Sequence, residues 1–493
     1  TAEQQDTTSG HEGRVGNDAT KFHEPRGVQK ARCCHTPLLE SEPKGSIMTF
    51  KFIDLFAGVG GFHAAMSSFG GKCVYAVEID EEAAAVYERN WGVSALGDIT
   101  ADATDETMNV PDHDVLCAGF PCQPFSKSGA QRGMEETRGT LYWNILNIIR
   151  VRKPALVLLE NVRNLAGPRH RHEWQVIIET LRDEGYVVSD IPAVFSPHLL
   201  PPERGGRPQI RERVFIVAVR GADPADARQA MIIPPVECRP VGGWDPQTWN
   251  LEEDLPLDPV PDVPGCELSD AEIHWIEAWN DFVVGMWEER EGRRLPGFPL
   301  WGDDWVHRDE LSIPPKTPKW KSDFLRKNAE FYTEHQEFID DWSEKWEFHT
   351  DKFPNSRRKF EWQAQDTPDL WSTVMHLRPS GIRAKRPTYL PALVAITQTS
   401  IIGPLRRRLS PSEAARLQGL PDWFDFGDQP NSATYKQLGN AVSVGAVWHV
   451  TREAARLHEE TLKKVAPKLA RCLLESDESP DEALLTLGHL VPS

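Results

Sequence analysis

The sequence predicts an α/β protein: a doubly wound parallel sheet followed by a second, smaller and irregular domain. Three observations support this prediction. Between residues 50 and 220, short apolar strands alternate with helical stretches. A glycine-rich turn follows the first strand, and polar side chains stand at the ends of later strands. After Arg220 the alternation stops, and the chain becomes rich in Pro and Trp.

The elements of the first domain are predicted one by one from apolar runs and apolar periodicity. The predicted strands are 52–56, 74–77, 115–118, 156–159, 187–191 and 214–219. The predicted helices are 62–69, 81–90, 141–150 and 174–183. Strands and helices that alternate in this way place their ligand sites at the carboxyl ends of the strands.

The rest of the chain predicts less regular structure until residue 410. Twelve of the 17 tryptophans lie between Trp244 and Trp371, and we expect them to form a core and to anchor loops rather than to form a stacking surface. Ser410-Pro411-Ser412-Glu413 is a capping box with Pro at the first helical position, and its helix should stop at Gly419. A last long helix is predicted over 441–457.

The composition indicates neither a membrane span nor a disulfide or metal framework. Hydrophobic residues make up 40% of the chain, the mean hydropathy is −0.47, and no apolar run approaches the roughly 18 residues of a span. The eight cysteines form no CxxC pair and no zinc-like Cys/His spacing, which favours a reducing, cytoplasmic setting. Residues 1–47 are polar, lack the order of a secretory signal and are expected to be disordered.

The net charge of −19 is unevenly distributed along the chain. Residues 221–370 hold 33 Asp and Glu against 16 Lys and Arg, whereas residues 371–410 hold seven Lys and Arg and no Asp or Glu. The overall charge therefore does not exclude a polyanionic partner, and the local charge of 371–410 favours one. The acidic portion is expected either to face away from such a partner or to bind another one.

A glycine-rich turn follows the first strand, in Asp54-Leu55-Phe56-Ala57-Gly58-Val59-Gly60-Gly61. Gly58 and Gly60 would let the backbone approach a ligand closely, beside the free N–H groups of a helix start. The spacing is G-x-G-G, so it matches neither the dinucleotide pattern G-x-G-x-x-G nor a P-loop with its lysine. A glycine turn alone is weak support for any one ligand.

Two carboxylates stand at the next two positions where a cofactor could bind. Glu78 ends the second strand, where it could accept hydrogen bonds from a ribose diol, and Asp98 could accept from an exocyclic amine. Taken singly, each carboxylate would be a solvated loop residue or a helix cap. Together with the turn they indicate a nucleoside-bearing cofactor, and S-adenosylmethionine fits because it has no phosphate to bind.

Cys122 follows the third strand, in Gly119-Phe120-Pro121-Cys122-Gln123. A tight turn at that point presents the thiol at the edge of the sheet. The residue is either a small buried hydrophobe, as most free cysteines are, or a nucleophile. A nucleophilic role requires the thiolate, and therefore a lowered pKa or a nearby base.

Charged side chains also accompany two later strands. Glu160 stands at the end of a buried strand. It is either a proton donor with a raised pKa or a carboxylate that forms a salt bridge at the edge of the sheet. Strand alternation puts Arg211 and Arg213 on one face, where they could hold an oxygen or a phosphate. The alternative for the arginines is a surface ion-pair ladder with Glu212.

Taken in order, these motifs resemble those of the C5-cytosine DNA methyltransferases, and in particular of bacterial modification enzymes. The resemblance covers about residues 48–220 and 405–450. The matching motifs are the glycine turn, Phe120-Pro121-Cys122-Gln123, Glu160-Asn161-Val162, Gln209-x-Arg211-x-Arg213, Arg408-Leu409-Ser410-Pro411-x-Glu413, Arg416-Leu417-Gln418-Gly419 and Tyr435-Lys436-Gln437-Leu438-Gly439-Asn440-Ala441-Val442.

The resemblance implies a DNA (cytosine-5-)-methyltransferase on a Rossmann-like, S-adenosylmethionine-dependent methyltransferase sheet. The Cys122 thiolate would add to C6 of a cytosine rotated out of the duplex, so that C5 can attack the methyl sulfonium. Glu160 would protonate or hydrogen-bond N3, and Arg213 would hold O2 with Arg211 supporting it. Loss of the C5 proton and expulsion of the thiol would release 5-methylcytosine.

The same resemblance assigns contact residues and domains. The cofactor site would be formed by Phe56, Gly58, Gly60, Glu78, Ile79, Asp98, Ile99, Leu141, Asn440 and Val442. A mobile loop over the flipped base, residues 126–138, would bind DNA through Ser126, Lys127, Ser128, Gln131 and Arg132. The implied domains are a disordered extension (1–47), a catalytic and cofactor-binding domain (48–222), a target-recognition domain (223–433), a returning helix (434–460) and a C-terminal tail (461–493), which is acidic and peripheral from about residue 475.

By the same resemblance, the DNA sequence would be read by the variable segment, which lies between Arg213 and Arg408. This segment departs from the family. The family often has a Thr-Leu pair there, but this chain has Thr388-Tyr389 and Ala392-Leu393, so the base-reading loops are not placed. Phosphates or bases are expected to contact Arg378, Arg383, Lys385 and Arg386. The resemblance implies a monomeric enzyme that binds no metal. Its implied partners are double-stranded DNA and a cognate restriction endonuclease.

Three other functions compete with this one. An RNA cytosine-5 methyltransferase of the same fold is disfavoured by the large variable segment. A non-enzymatic DNA-binding homologue is disfavoured by the intact Cys122, Glu160 and Arg213. A flavin or nicotinamide oxidoreductase is disfavoured by the missing G-x-G-x-x-G.

Overall fold

Eight strands occur between residues 51 and 220, and seven of them form one mixed sheet. The computed structural model describes residues 49–121, 140–221, 236–258, 260, 262–394, 399–477 and 479–488. The sheet order is β2-β1-β3-β4-β8-β5, with β6 also paired to β8; β1 to β4 run parallel and β8 runs antiparallel to its neighbours. The strands are β1 (Lys51–Leu55), β2 (Lys72–Val77), β3 (Val115–Gly119), β4 (Leu156–Val162), β5 (Tyr186–Val188), β6 (Ala193–Phe195), β7 (Gln209–Ile210) and β8 (Arg213–Arg220).

Hydrophobic clusters cover both faces of this sheet. Because side chains alternate along a strand, Phe52 and Cys117 pack on one face and Ile53 and Leu116 on the other. The order confirms the predicted doubly wound α/β class, and it creates a switch point between β1 and β3, where such sheets bind ligands. The helices of this half are α1 (Gly61–Ser68), α2 (Glu81–Trp91), α3 (Ile99–Asp102), α4 (Leu141–Arg152) and α5 (Arg171–Asp183).

The predicted elements of this half differ from the observed ones mainly near residue 190. The strand predicted over 187–191 ends at Val188, and Ile191 lies 50% exposed in the following turn. Pro192 cannot donate to a ladder, so the chain re-enters the sheet only at Ala193. The antiparallel direction of β8 and the short helix α3 were not predicted.

The variable segment contains more regular structure than the sequence predicted. In α7, Trp279, Phe282, Val283 and Met286 are buried at helical spacing, a pattern that its many prolines and tryptophans obscured. A second sheet has the order β15-β14-β11-β12-β10-β9, and β13 pairs with β7. The elements are α6 (Leu251–Asp254), α7 (Asp270–Glu289), α8 (Lys319–Glu334), α9 (Gln336–Lys345), β9 (Leu300–Trp301), β10 (Lys359–Gln363), β11 (Val374–Arg378), β12 (Gly381–Lys385), β13 (Leu390–Pro391), β14 (Ile401–Ile402) and β15 (Arg407–Arg408).

Tryptophans form the centre of this segment's core, as expected. Trp279 is fully buried, stacks on Phe360 at a centroid distance of 4.6 Å and packs against Trp342 at 5.2 Å. Its indole nitrogen donates to the Arg357 carbonyl at 2.8 Å, so the ring anchors a loop as well. Trp320 is an exception, at 60% exposed.

The closing helices return to the first sheet. Both bonds of the predicted capping box at Ser410 are present, and Gly419 ends that helix at φ +82°. Trp448 stacks on Phe69, the residue that follows α1, at 5.4 Å. The helices are α10 (Pro411–Gln418), α11 (Asn431–Asn440), α12 (Val444–Leu457), α13 (Glu459–Val465), α14 (Pro467–Leu474) and α15 (Asp481–Leu487). Short 3₁₀ helices cover Arg163–Ala166, Pro168–His170, Pro197–Leu199, Pro202–Arg204, Val241–Gly243, Pro246–Thr248, Gly302–Asp304, Arg308–Glu310 and Gly403–Leu405.

The end of the chain is not the peripheral tail that its acidic composition predicted. Leu469, Leu473 and Leu484 are buried in the same cluster as Phe52. The indole of Trp423 donates to the Leu484 carbonyl at 2.9 Å. Apolar residues at helical spacing therefore determine where this segment packs, whatever its net charge. The described residues belong to one compact unit, 47–493, and the predicted domain boundaries within it stay predictions.

Several sequence predictions fall on parts of the chain that the structure does not describe. They are the N-terminal extension 1–47, Cys122, and the loop residues Ser126, Lys127, Ser128, Gln131 and Arg132. Among the described helices, none is long and apolar enough to cross a membrane. The described cysteines Cys73, Cys117, Cys238 and Cys266 are free.

Candidate cofactor and catalytic site

A cavity of about 540 Å³ opens at the carboxyl ends of the parallel strands. Its position is the switch point between β1 and β3, and its volume suits a small organic ligand. It is lined by Phe56, Gly58, Val77, Glu78, Ile79, Asp80, Ala83, Gly97, Asp98, Ile99, Gly119, Phe120, Pro121, Leu141, Glu160, Asn161, Val162, Arg213, Lys436, Gln437, Gly439 and Asn440.

The glycine turn and Glu78 form one side of the cavity. Gly58, at φ +53°, donates its backbone N–H to Glu78 Oε2 at 2.8 Å, and the backbone N–H of Asp80 donates to Oε1 at 2.9 Å. A carboxylate has about four acceptor positions, so both oxygens keep capacity for a ligand hydroxyl. Phe56 has φ +57°, a left-handed conformation that costs a non-glycine residue about 1–3 kcal/mol and is concentrated at functional sites.

Part of the cavity lining is apolar. Ile79 lines it with 73% of its surface exposed, an uncovered aliphatic side chain that suits a flat ring. Asp98 also lines it, and its Oδ1 accepts from the Thr100 backbone N–H at 2.9 Å as the cap of α3. Asp98 is thus a helix cap at the cavity wall. Of the ten predicted cofactor residues, the cavity brings together Phe56, Gly58, Glu78, Ile79, Asp98, Ile99, Leu141 and Asn440.

Gly60 and Val442 are the two predicted cofactor residues that do not line the cavity. A Cβ on Gly60 would lie 2.2 Å from Nε1 of Trp91, so this glycine is required by a packed indole and by its φ of +92°. Val442 packs on the start of α1, where its carbonyl would lie 2.5 Å from a Cβ on Gly61. Both residues shape the turn from behind.

The sequence missed three polar residues at the mouth of the cavity: Asp80, Lys436 and Gln437. Lys436 Nζ lies 2.9 Å from Asp80 Oδ2, which joins α11 to the start of α2. At the other end of α2, Asn90 donates to the Asp425 carbonyl at 2.8 Å and accepts from its N–H at 2.7 Å. One wall of the cavity is therefore held together by residues more than 330 positions apart in the chain. Local sequence patterns do not reveal such contacts.

Glu160 and Arg213 meet on the opposite wall. Glu160 Oε1 lies 3.0 Å from Arg213 Nε, and both side chains are largely buried. Burial raises the pKa of the Glu160 carboxyl, and the guanidinium groups of Arg213 and Arg211 partly offset that rise. The structure thus shows the salt bridge of one sequence alternative and the raised pKa of the other, while the role of proton donor stays a prediction. A buried carboxyl with a raised pKa can keep a proton for donation.

Asn161 connects this wall to the segment that contains Cys122. Gly119 pairs with Glu160 in the sheet register, and Asn161 Nδ2 donates to the Phe120 carbonyl at 2.8 Å. This bond fixes the turn one residue before Pro121, which lines the cavity. The sequence motif contained Asn161 without indicating this positioning role.

Arg211 lies elsewhere than predicted. Its side chain is 1% exposed and does not line the cavity; it donates to the carbonyls of Leu393 at 2.8 Å, Gly439 at 2.8 Å and Ala441 at 2.5 Å. Burial lowers the pKa of Arg211 to about 9, so the group stays charged at neutral pH. Arg211 therefore lies behind the cavity wall, close enough to Glu160 and Arg213 to act on them electrostatically, and its predicted support of Arg213 stays a prediction. Within the described residues, Glu212 pairs with Arg163, at 2.5 Å, rather than with either arginine.

Arg211→Met is expected to destabilise the fold by about 3 kcal/mol or more, because three carbonyls lose their donor in a buried site. It is also expected to weaken cofactor binding, since two of the carbonyls flank Asn440. Denaturant unfolding and equilibrium binding would measure the two effects. An unchanged free energy of unfolding together with lost methylation would instead indicate direct substrate contact.

Most side chains in the basic stretch 371–410 are paired to carboxylates. Arg386 pairs with Asp366, Arg406 with Glu277, Arg407 with Glu413 and Arg408 with Glu272. Arg378 and Arg383 both pair with Glu361, and Lys385 lies over the ring of Tyr389. Several carboxylates of the acidic segment therefore neutralise side chains of the basic stretch, and the orientation of the acidic segment relative to a polyanionic partner stays a prediction.

Comparisons with known proteins identify the class. A family model described as C-5 cytosine-specific DNA methylase matches residues 50–456. The Type II methyltransferase M.AluI of Cellulosimicrobium cellulans is 49% identical over 514 residues, which cover 89% of this chain and 98% of that protein. M.BanI of Aneurinibacillus aneurinilyticus is 30% identical over 82% of this chain and 96% of its own length. M.HhaI of Haemophilus parahaemolyticus is 44% identical over 34% of this chain and 49% of its own length.

The sheet, the cavity and these similarities define an enzyme of the DNA (cytosine-5-)-methyltransferase class. The chain belongs to the C-5 cytosine-specific DNA methylase family. The resemblance that its ordered motifs suggested is thereby confirmed.

Proposed function

We propose that this chain transfers a methyl group from S-adenosylmethionine to C5 of a cytosine in a specific double-stranded DNA sequence, within a restriction–modification system. The main support is that one cavity holds the glycine turn and Glu78 on one side and Glu160 with Arg213 on the other. A bound cofactor and a cytosine could therefore lie side by side in this cavity and react. The strand that leads to Cys122 ends at the same cavity.

The donor set fits S-adenosylmethionine. The turn has no phosphate-binding lysine, Glu78 has spare acceptor capacity for a ribose diol, and Ile79 leaves an apolar surface for adenine. Bound there, S-adenosylmethionine would supply an electrophilic methyl group on a sulfonium. Asn440 and Leu141 complete the wall.

The proposed mechanism assigns one task to each polar group. The Cys122 thiolate forms a bond to C6, while Glu160 gives its proton to N3 and Arg213 hydrogen-bonds O2. These contacts make C5 electron-rich enough to take the methyl group. A base then removes the C5 proton, the C6–S bond breaks, and the N3 proton returns to Glu160. Rotating the cytosine out of the duplex costs a few kcal/mol, which contacts in the cavity must offset.

The comparisons also support a proposal about the recognised sequence. M.HhaI aligns with only 34% of this chain, whereas M.AluI aligns with 89% of it and therefore through much of the variable segment. The variable segment is the part expected to read DNA. We therefore propose that this chain methylates the same DNA sequence as M.AluI.

Bisulfite sequencing of DNA from cells expressing the protein would test this function. The expected result is unconverted cytosine at one position of one short sequence, the sequence that M.AluI also modifies, and none in cells with an empty vector. Unconverted cytosine in RNA but not in DNA would establish the rival RNA function. No unconverted cytosine in either would refute both.

Lys436→Met is expected to weaken S-adenosylmethionine binding about twofold to fivefold, the range of an exposed ion pair. The maximal rate should not change, since Lys436 pairs with Asp80 and not with Glu160. Because exposed pairs are screened, the difference from wild type should shrink as salt rises from about 0.05 to about 0.5 M. Lys463→Met, which removes another exposed ion pair, is the matched control. Salt-independent weakening would contradict a role for the Asp80 pair.

A further inference from the structure

One face of the second sheet is polar while the other is apolar. Phe360 and Trp362 of β10, Leu377 of β11 and Ile382 of β12 point into the tryptophan-rich core. The alternate positions on the same strands point the other way. We call this surface the basic sheet face; it consists of Glu361, His376, Arg378, Arg383 and Lys385.

Glu361 organises the cations of this face. Its Oε2 accepts from Arg378 Nη2 at 2.6 Å and from Arg383 Nε at 3.0 Å. Both arginine side chains remain about one-third exposed, at 31% and 35%. Two arginines share one carboxylate, so the cluster keeps excess positive charge, unlike the one-to-one pairs of Arg407 and Arg408.

Neighbouring groups do not cancel this excess. Burial, together with Lys385, Arg378 and Arg383, lowers the pKa of His376 to about 3, so the imidazole is neutral. Lys385 Nζ lies 4.7 Å from the centroid of the Tyr389 ring rather than on a carboxylate of the described residues. The face therefore presents three cations against the single carboxylate of Glu361.

The basic sheet face adjoins the catalytic half of the chain. The Tyr389 ring lies 5.7 Å from His198, and β13 pairs in parallel with β7, directly before the Arg211 to Arg213 segment. Leu393, at the end of this connection, accepts from Arg211. The sheet that carries Arg383 and Lys385 is thus joined to the segment that leads to Arg213, which lines the cavity.

We propose that the basic sheet face reads base edges of duplex DNA, with Glu361 holding Arg378 and Arg383 against the O6 and N7 acceptors of guanine. This proposal rests on the proposed function, and it implies that the recognised DNA sequence contains a guanine. A phosphate contact needs only a cation, whereas reading guanine requires a guanidinium fixed in plane. A shared carboxylate on a rigid sheet supplies that fixed orientation.

Base analogues distinguish base reading from backbone binding. Each guanine of the methylated sequence is replaced in turn by 7-deazaguanine, which lacks the N7 acceptor. For the wild type we expect kcat/KM to fall about 10- to 100-fold at one or more of these positions. Arg383→Lys or Arg378→Lys should lower kcat/KM on normal DNA. The same variant should lose little further kcat/KM when 7-deazaguanine replaces guanine, because the substitution has already removed the contact to N7.

Glu361→Gln tests the positioning role. It keeps both arginines, and it is expected to lower discrimination between the methylated sequence and its single-base variants about tenfold, with the KM for S-adenosylmethionine unchanged. Arg326→Lys, at an exposed ion pair of the same segment, is the matched control and should change nothing. Unfolding midpoints of all variants exclude a folding defect as the cause.

Two results would overturn the proposal. The first is that the fold-losses in kcat/KM caused by the arginine substitution and by 7-deazaguanine multiply at every guanine. Such independence would show that neither arginine contacts N7. Weakening that is equal on all DNA sequences, with a shallower salt dependence, would indicate phosphate contacts instead. If the wild type methylated no DNA at all, the proposed function itself would fail, which is a distinguishable outcome.

Discussion

Cys122→Ser is expected to abolish methylation of DNA, lowering kcat by at least about 10³-fold, because a serine hydroxyl is a far weaker nucleophile than a thiolate at neutral pH. S-adenosylmethionine binding should be retained, since Glu78, Ile79 and the other predicted cofactor residues are unchanged. DNA that contains 5-fluorocytosine gives a second readout. Fluorine at C5 cannot leave as the proton does, so the C6–S bond persists and a covalent complex accumulates with the wild type alone.

A matched cysteine controls for general loss of a thiol. Cys238 is free, half-buried and outside the cavity, so Cys238→Ser should methylate DNA and form the adduct as the wild type does. Methylation that persisted in Cys122→Ser would refute the nucleophile. An adduct that mapped to another cysteine would refute it equally.

Glu160→Gln is the second large effect. Glutamine fills the same volume but cannot donate a carboxylic proton to N3, and kcat is expected to fall about 10²- to 10⁴-fold. The KM for S-adenosylmethionine should stay within about threefold of the wild type, because loss of general acid catalysis affects the chemical step. Single-turnover methylation of a short duplex would measure the rate of that step directly.

Glu212→Gln is the matched control for this substitution. The Glu212 carboxylate lies 2.5 Å from Arg163, is 42% exposed and does not line the cavity. The same change from Glu to Gln should therefore leave kcat unchanged at this position. A loss equal to that of Glu160→Gln would mean that any nearby change of charge disturbs the site, and the proton donor would then be unassigned.

The raised pKa of Glu160 gives an independent readout of its burial. Because the folded state holds the proton more tightly than the unfolded chain, the carboxyl's contribution to stability is fully present below its ordinary pKa of 4.5 and is lost as pH rises through the folded value. The free energy of unfolding of the wild type, relative to Glu160→Gln, should therefore fall as pH rises above about 4.5. A difference that stays constant with pH would contradict the burial of this group.

The chemistry of the catalytic half was largely readable from local sequence. Apolar runs followed by Gly58, Glu78 or Glu160 predict strands whose ends carry functional groups, since parallel strands place their carboxyl ends on one edge. Phe56, Gly58, Glu78 and Ile79 line the cavity for this reason, whereas α11 brings Asn440 there. The roles assigned to Cys122 and the loop after it stay predictions, as do the DNA contacts.

Contacts between distant segments were not readable in this way. Arg211 resembles Arg213 in sequence, but only the packing of residues 393 and 439–441 turns it into a buried clamp. The partners of Lys436 and Arg378 lie on other elements, and which carboxylate each one meets depends on how those elements pack. The packing of Trp91 against Gly60 is a further contact of this kind, and the predicted cofactor role of Gly60 stays a prediction.

The sequence by itself therefore determined the α/β class, the family and the edge of the sheet where chemistry occurs. These follow from periodicity and from short motifs, in which each residue's role depends on its immediate neighbours in the chain. The tertiary structure decided which arginine reaches the cavity, how the acidic segment pairs with the basic one, and which sheet face carries Glu361 between two arginines. Those outcomes depend on the packing of residues far apart in the chain, and packing is a property of the whole fold.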